Sequence, residues 1–161
     1  MKLIKADRNT VPLLSSFAKE VFIDYYKDLI GYNQSIYMTG LFLSEEVILD
    51  LMEQGAVFTL IMQEDKPIGF SEYIIEGSRL FLSKLYVEKS HRGNGIGRLL
   101  FSDCTEYAKE NRLEAIYLTV NKHNTPSYEI YLHLGFTVID AVVNDIGNGY
   151  VMDDYIMEYR L

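Results

Sequence analysis

In 161 residues the chain has one cysteine, three prolines, three histidines and no tryptophan. The lone thiol, Cys104, cannot close an internal disulfide and reads as a small buried apolar group on a helix, in keeping with a reducing compartment. Long apolar runs are missing as well. Stretches such as Ala56 to Met62 fall far short of the roughly 20 residues that cross a bilayer, so no membrane span is expected. The opening Met1-Lys2-Leu3-Ile4-Lys5-Ala6-Asp7 has no extended apolar segment, so no secretory leader is expected and a cytoplasmic location is. His91, His123 and His133 form no ligand spacing with carboxylates, and no metal is expected. Repeats, low-complexity tracts and Pro- or Ser-rich linkers are absent, so residues 1–161 are expected to form a single domain.

Acid is plentiful. The net charge is −8, which disfavours a general nucleic-acid binder. Its distribution is uneven: residues 1–81 carry −5, residues 113–161 carry −5, and residues 82–112 carry +2. Lys84, Lys89, Arg92 and Arg98 crowd the first half of that basic island, and three glycines, Gly93, Gly95 and Gly97, lie among them.

Periodicity supplies the elements. Lys2 to Ala6 reads as a strand. Thr10 before Val11-Pro12 reads as a helix start with a hydroxyl cap, and Leu13, Leu14, Phe17, Val21 and Phe22 carry the helix to about Leu29. Ser44-Glu45-Glu46-Val47 opens a second helix that Gly55 can end. Ala56–Gln63, Ile68–Ile75 and Leu80–Val87 read as strands, the first two joined by the turn Glu64-Asp65-Lys66-Pro67. A helix follows the glycine loop, then a strand over Ala115–Val120 and a short helix from Asn124 to Gly135. Two last strands, Phe136–Val143 and Tyr150–Tyr159, complete the order β-α-α-β-β-β-α-β-α-β-β, an α/β mixed sheet with helices on its faces.

The loop Ser90-His91-Arg92-Gly93-Asn94-Gly95-Ile96-Gly97 joins a strand to a helix start. A helix N-terminus offers free amides and partial positive charge, and glycines let an anion approach them, so the loop is a candidate phosphate cradle. It is not a P-loop, because Gly97 is followed by Arg98-Leu99 rather than Lys and a hydroxyl residue. A dinucleotide fingerprint also fails: the sixth place from Gly93 is Arg98, and the next strand ends at Val120-Asn121 without a carboxylate for a ribose. What remains is Arg-x-x-Gly-x-Gly from Arg92 to Gly97.

The stretch Leu82 to Phe101 resembles the central acyl-CoA motif of the GCN5-related N-acetyltransferases, and Asn124 to Phe136 resembles that family's second motif, an asparagine, a tyrosine seven residues on, then Gly-Phe. The resemblance implies a mostly antiparallel sheet splayed at its centre and an acetyl-CoA site. Main-chain groups of Leu85, Tyr86 and Val87 would hold the pantetheine arm, and those of Arg92, Gly93, Asn94, Gly95, Ile96, Gly97 and Arg98 the pyrophosphate. Asn124 would bind the arm, and His133 stands where relatives place a basic contact to the nucleotide phosphates. Tyr131 takes the place of the tyrosine that protonates the departing thiolate, with Tyr128 as the fallback. Ser83 occupies the usual position of the family's glutamate base, so Glu72, Asp24, Glu20 or water alone would have to serve.

Segments Phe22–Tyr26, Gly31–Thr39 and Ser44–Leu51 resemble bacterial acetyltransferases of the spermidine/spermine type. Acids at Asp24 and Asp28, and at Asp140, Asp145, Asp153 and Asp154, suit a small cationic amine such as a polyamine. Two alternatives stay open, a protein or peptide N-terminal acetyltransferase and a non-catalytic acyl-CoA sensor. A homodimer paired through the last strand is also expected.

Overall fold

The computed structural model describes residues 1–161. Its strands are β1 (Lys2–Lys5), β2 (Val57–Gln63), β3 (Lys66–Glu76), β4 (Arg79–Val87), β5 (Ala115–Asn121), β6 (Thr137–Gly147) and β7 (Tyr150–Arg160). Its helices are α1 (Val11–Ile30), α2 (Tyr32–Phe42), α3 (Glu45–Glu53), α4 (Ile96–Glu110) and α5 (Thr125–Leu134). The strand order is β1-β2-β3-β4-β5-β7-β6, the mixed α/β arrangement expected from the sequence, with β4 and β5 as a parallel pair among antiparallel neighbours. That pair is in register over Arg79–Phe81 against Ala115–Tyr117.

The structure adds α2 to the expected elements. Gly31, at φ +90°, ends α1 and begins α2. Its sequence scatters Asn, Gln, Ser, Thr and Gly among apolar residues without an apolar stripe that would reveal a helix, and only Ser35, Met38 and Thr39 are buried. The Thr10 hydroxyl does not cap α1. It donates to the Asp7 carbonyl and accepts from the Asp7 amide, closing the turn before the helix. Ser44 does cap α3, accepting from the Val47 amide at 3.2 Å.

The chain forms two compact units, Met1–Ile75 with Leu82–Cys104, and Glu76–Phe81 with Thr105–Leu161. In the first, Leu14, Phe17, Ala18, Val21 and Phe22 bury one face of α1, with Phe17 edge-on to Phe70 of β3. Each of the Leu, Val and Phe side chains contributes about 1.5–3 kcal/mol by leaving water. Across the sheet, Asp103 of α4 accepts from Lys5, Tyr73 and Thr59, fastening the helix to β1, β3 and β2. Burial, with Asp103 adding, pushes the Tyr73 phenol far above its usual range. Cys104 is fully buried on the same helix, and burial pushes its thiol up to about 12. In the second unit, Ile116, Leu118 and Val120 of β5 pack with Met157 and Phe136 as core.

Candidate active site

In the first unit β4 delivers the chain to the glycine loop. Leu85 and Val87 pack on Ile61, Ile68, Ile96 and Leu100, which fixes the strand end against the start of α4. Gly69 of β3 permits this approach: a Cβ there would lie 3.2 Å from the Tyr86 carbonyl and 3.3 Å from Ile96 Cγ2. Tyr86 joins a ring cluster with Phe22, Tyr25 and Tyr26, and its hydroxyl is 2.9 Å from that of Tyr26. After β4 comes a single 3-10 turn, Lys89–His91, in which His91 bonds Glu88 and Gln63.

Arg92 turns back onto its own strand. Its Nε donates to the Val87 carbonyl at 3.0 Å, and its guanidinium lies over the Tyr25 ring at 5.0 Å. Gly93 and Gly95 adopt φ +81° and +80°, a region in which any side chain is strained. Leu99 is the first residue of α4 to bond back into the turn, to Gly95 at 3.1 Å, so the amides of Ile96, Gly97 and Arg98 end the helix without intrahelical acceptors. A Cβ at Gly97 would meet only ordinary contacts with Leu85 and Val87. Open amides, left-handed glycines and the exposed Arg98 together fit a diphosphate. Arg92 bonds back to Val87 and Gly97 faces Leu85 and Val87, so the glycine loop lies against the end of β4.

Beside this loop lies a pocket of about 500 Å³ that sequence reading missed, lined by Phe17, Glu20, Val21 and Asp24 of α1 and by Glu88, Lys89, Ser90 and Arg92. The i, i+3, i+4, i+7 spacing puts the four α1 residues on one face, but nothing in it reveals the loop they meet. Glu20 and Asp24 thus share a wall, with Asp24 also 3.5 Å from Lys27. Glu72 is placed differently. It is buried and paired at 3.1 Å with Lys84, whose ammonium also sits 5.4 Å from the Phe42 ring centre.

In the second unit the predicted residues gather on α5. Asn124 is buried and caps the helix, its side-chain oxygen accepting from the Ser127 amide at 3.3 Å. Tyr131 is half-buried, with its ring edge-on to Phe136 at 5.5 Å. Gly135, at φ +106°, lets the chain turn there, and a Cβ would strike the Tyr159 ring at 3.1 Å. Tyr128 contacts Tyr155 instead. Asn124, Tyr128 and Tyr131 follow helical spacing along one side, whereas the exposed His133, two residues beyond Tyr131, lies off that face.

Asp154 of β7 is buried, at 3% exposure, and burial pushes its carboxyl up to about 6 from 3.8, with Asp153 adding and Lys122 opposing. Since the folded value exceeds the unfolded one, its stabilising contribution is complete only in acid below 3.8 and is lost as pH rises through about 6.

A family model described as the acetyltransferase (GNAT) family matches residues 19–136, so the segment covered includes both the glycine loop and α5. The chain belongs to this family, a class of acetyl-CoA-dependent N-acetyltransferases. Among characterised sequences it is similar to a peptidyl-lysine N-acetyltransferase, YjaB, of Salmonella typhimurium, 26% identical over 107 residues, 66% of this chain and 68% of that one. A streptothricin acetyltransferase of Streptomyces lavendulae is 33% identical over 70 residues, 42% of this chain, and the match spans only 37% of that enzyme. Among solved structures, the PaiA N-acetyltransferase of Thermoplasma acidophilum in complex with coenzyme A superposes with a TM-score of 0.84 at 21% identity, both chains covered in full.

Proposed function

We propose that this chain transfers the acetyl group of acetyl-CoA to a primary amine of a small cationic molecule of polyamine type. The observation that carries the reading is the start of α4, where Gly93 and Gly95 hold left-handed turns and three amides are left without helical acceptors. Those amides and Arg98 would hold the pyrophosphate. Main-chain groups of Leu85, Tyr86 and Val87 would receive the pantetheine arm, although the Val87 carbonyl is already engaged by Arg92. Asn124 would contact the arm, and His133 the nucleotide phosphates. Bound acetyl-CoA supplies an acyl group activated as a thioester.

The residues of the chain then manage protons and charge. A main-chain amide at Leu85 to Val87 would polarise the carbonyl. Tyr131 would keep a proton at its hydroxyl for the departing thiolate, a phenol near 10 donating toward a thiol of about 8.5. Its support is the motif spacing from Asn124 to Gly135 and the ring contact with Phe136, which limits how it can turn. For the acceptor, Glu20 and Asp24 open onto the α1 pocket and could take an amine proton directly or through water, whereas Glu72 is committed to Lys84.

Net charge of −8 concentrates cations near the molecule, which supports the polyamine class. A lysine side chain in a peptide is the second reading, favoured by the likeness to the peptidyl-lysine enzyme over two-thirds of the chain. The buried thiol Cys104 supports a reducing, cytoplasmic setting. The last strand, β7, lies between β5 and β6 and has no free edge, so the expected pairing through it does not hold; a homodimer would pair instead through the edge strand β6, where Val138, Ile139 and Val143 are exposed.

The test is thiol release from acetyl-CoA with spermidine and with lysine-containing peptides side by side. Spermidine is expected to be the better acceptor, and Tyr131→Phe to lower kcat by ten- to a thousandfold. Peptide preference would move the acceptor to the second reading, and full activity of the variant from pH 6 to 9 would remove Tyr131 from the proton role.

A further inference from the structure

Two asparagines are followed by glycine, Asn94–Gly95 in the loop before α4 and Asn148–Gly149 in the turn between β6 and β7. In such a pair the glycine nitrogen has no neighbouring Cβ to shield it and can reach the side-chain amide carbon of the asparagine. At the first pair both reactants are open. Asn94 is exposed, and the one bond of its side chain, from Nδ2 to the His91 carbonyl, is 3.4 Å long, beyond the roughly 2.7–3.2 Å of ordinary N–H···O bonds. The Gly95 amide donates to no acceptor in the chain, and a Cβ built on Gly95 would meet nothing within 4 Å.

The electrostatic setting separates the two pairs. Attack begins with loss of the glycine amide proton, so a positive field favours it. Gly95 stands immediately before α4, at the positive end of the helix dipole, and from Lys89 to Arg98 the chain carries Arg92 and no acid. A loop suited to one anion thus favours another. Asn148 has neither advantage: it sits at φ +55° in a turn closed by the strand pair Gly147–Tyr150, and its charged neighbours along the chain are Asp145, Asp153 and Asp154.

We propose that Asn94 is a spontaneous deamidation site, through which the empty glycine loop converts itself to a form that rejects a diphosphate. The Gly95 nitrogen bonds to Cγ of Asn94, the Cγ–Nδ2 bond breaks, and ammonia leaves with the proton given up by Gly95. Water then opens the cyclic imide. Attack at Cγ returns the ordinary chain with an aspartate, and attack at the Asn94 main-chain carbonyl gives isoaspartate, whose backbone runs through Cγ and is one methylene longer. The balance is asparagine plus water to a carboxylic acid plus ammonia. Either product sets a carboxylate between Gly93 and Gly95, where like charges repel, and the longer backbone also shifts the amides that follow. This consequence rests on the proposed coenzyme A site, whereas the chemistry at Asn94 does not. Coenzyme bound there would cover the pair, so occupancy sets the working life of the protein.

Ageing of the full chain at neutral pH tests this, with and without coenzyme A, read by peptide mass mapping, enzymatic isoaspartate labelling and calorimetric titration of coenzyme A. The Asn94 peptide is expected to convert at least tenfold faster than the Asn148 peptide. The converted fraction, separated by anion exchange, should bind coenzyme A at least tenfold more weakly. Coenzyme A at 100 times its Kd should slow conversion at Asn94 about a hundredfold and leave Asn148 unchanged. Asn94→Gln, which would have to close a larger ring, should keep its own starting affinity over the same period. Conversion at Asn94 no faster than at Asn148, or a converted fraction of undiminished affinity, would overturn the proposal. Fresh protein that binds no coenzyme A yet converts at Asn94 ahead of Asn148 would instead remove the acetyl-CoA reading and leave the deamidation site standing.

Discussion

Helix α5 closes its own N-terminus, whereas α4 leaves its own open. Asn124 gives α5 a carboxamide cap, and Pro126 in the first turn has no N–H to satisfy. α4 begins behind Gly93, Asn94 and Gly95, and the Asn94 side chain turns away to donate to the His91 carbonyl at 3.4 Å. The difference separates two uses of one physical feature. A helix end that satisfies itself serves the fold, and one that leaves its first amides open behind glycines is suited to the proposed anion.

That contrast can be broken at α4 first. Replacing both Gly93 and Gly95 by valine forces two β-branched residues into left-handed backbone at about 1–2 kcal/mol each. Coenzyme A affinity, measured by calorimetry, is expected to fall by roughly thirty- to a thousandfold. Gly69→Val acts on the seat of the helix rather than on its mouth. Its side chain would press on Ile96 and Leu100, and overpacking of about 1–3 kcal/mol should appear as a lowered urea midpoint with a smaller loss of affinity. The smallest effect belongs to the closed end. Asn124→Ala should cost about 1 kcal/mol of stability, read as a lower Tm, and any coenzyme A affinity lost beyond that would show the asparagine touching the arm as well as the helix.

Legibility from sequence followed the same division. Strands β2 to β5 and helices α1 and α4 announce themselves because each buries a periodic apolar face, α3 and α5 through their end signals at Ser44 and at Asn124, Pro126 and Gly135, and the glycine loop because backbone demands left glycine at fixed spacings. Helix α2 does not, since two of its three buried positions hold Ser35 and Thr39 and polar residues carry no period. Thr10 matched the pattern of a cap but found a nearer partner in Asp7. Tyr131 and Asn124 were proposed from a motif whose spacing lies within one helix and its cap, so the sequence alone could bring them to notice. The α1 pocket was not, because it joins residues some seventy positions apart.

The seclusion of Cys104 has a practical use. Its thiol lies fully inside α4 and ionises only near 12, so a disulfide reagent mixed with the folded enzyme will register liberated coenzyme A and nothing from the protein. Once the helix leaves the sheet, the same reagent begins to label the chain. One colour reaction thus reports turnover while the molecule is intact and its unravelling when it is not.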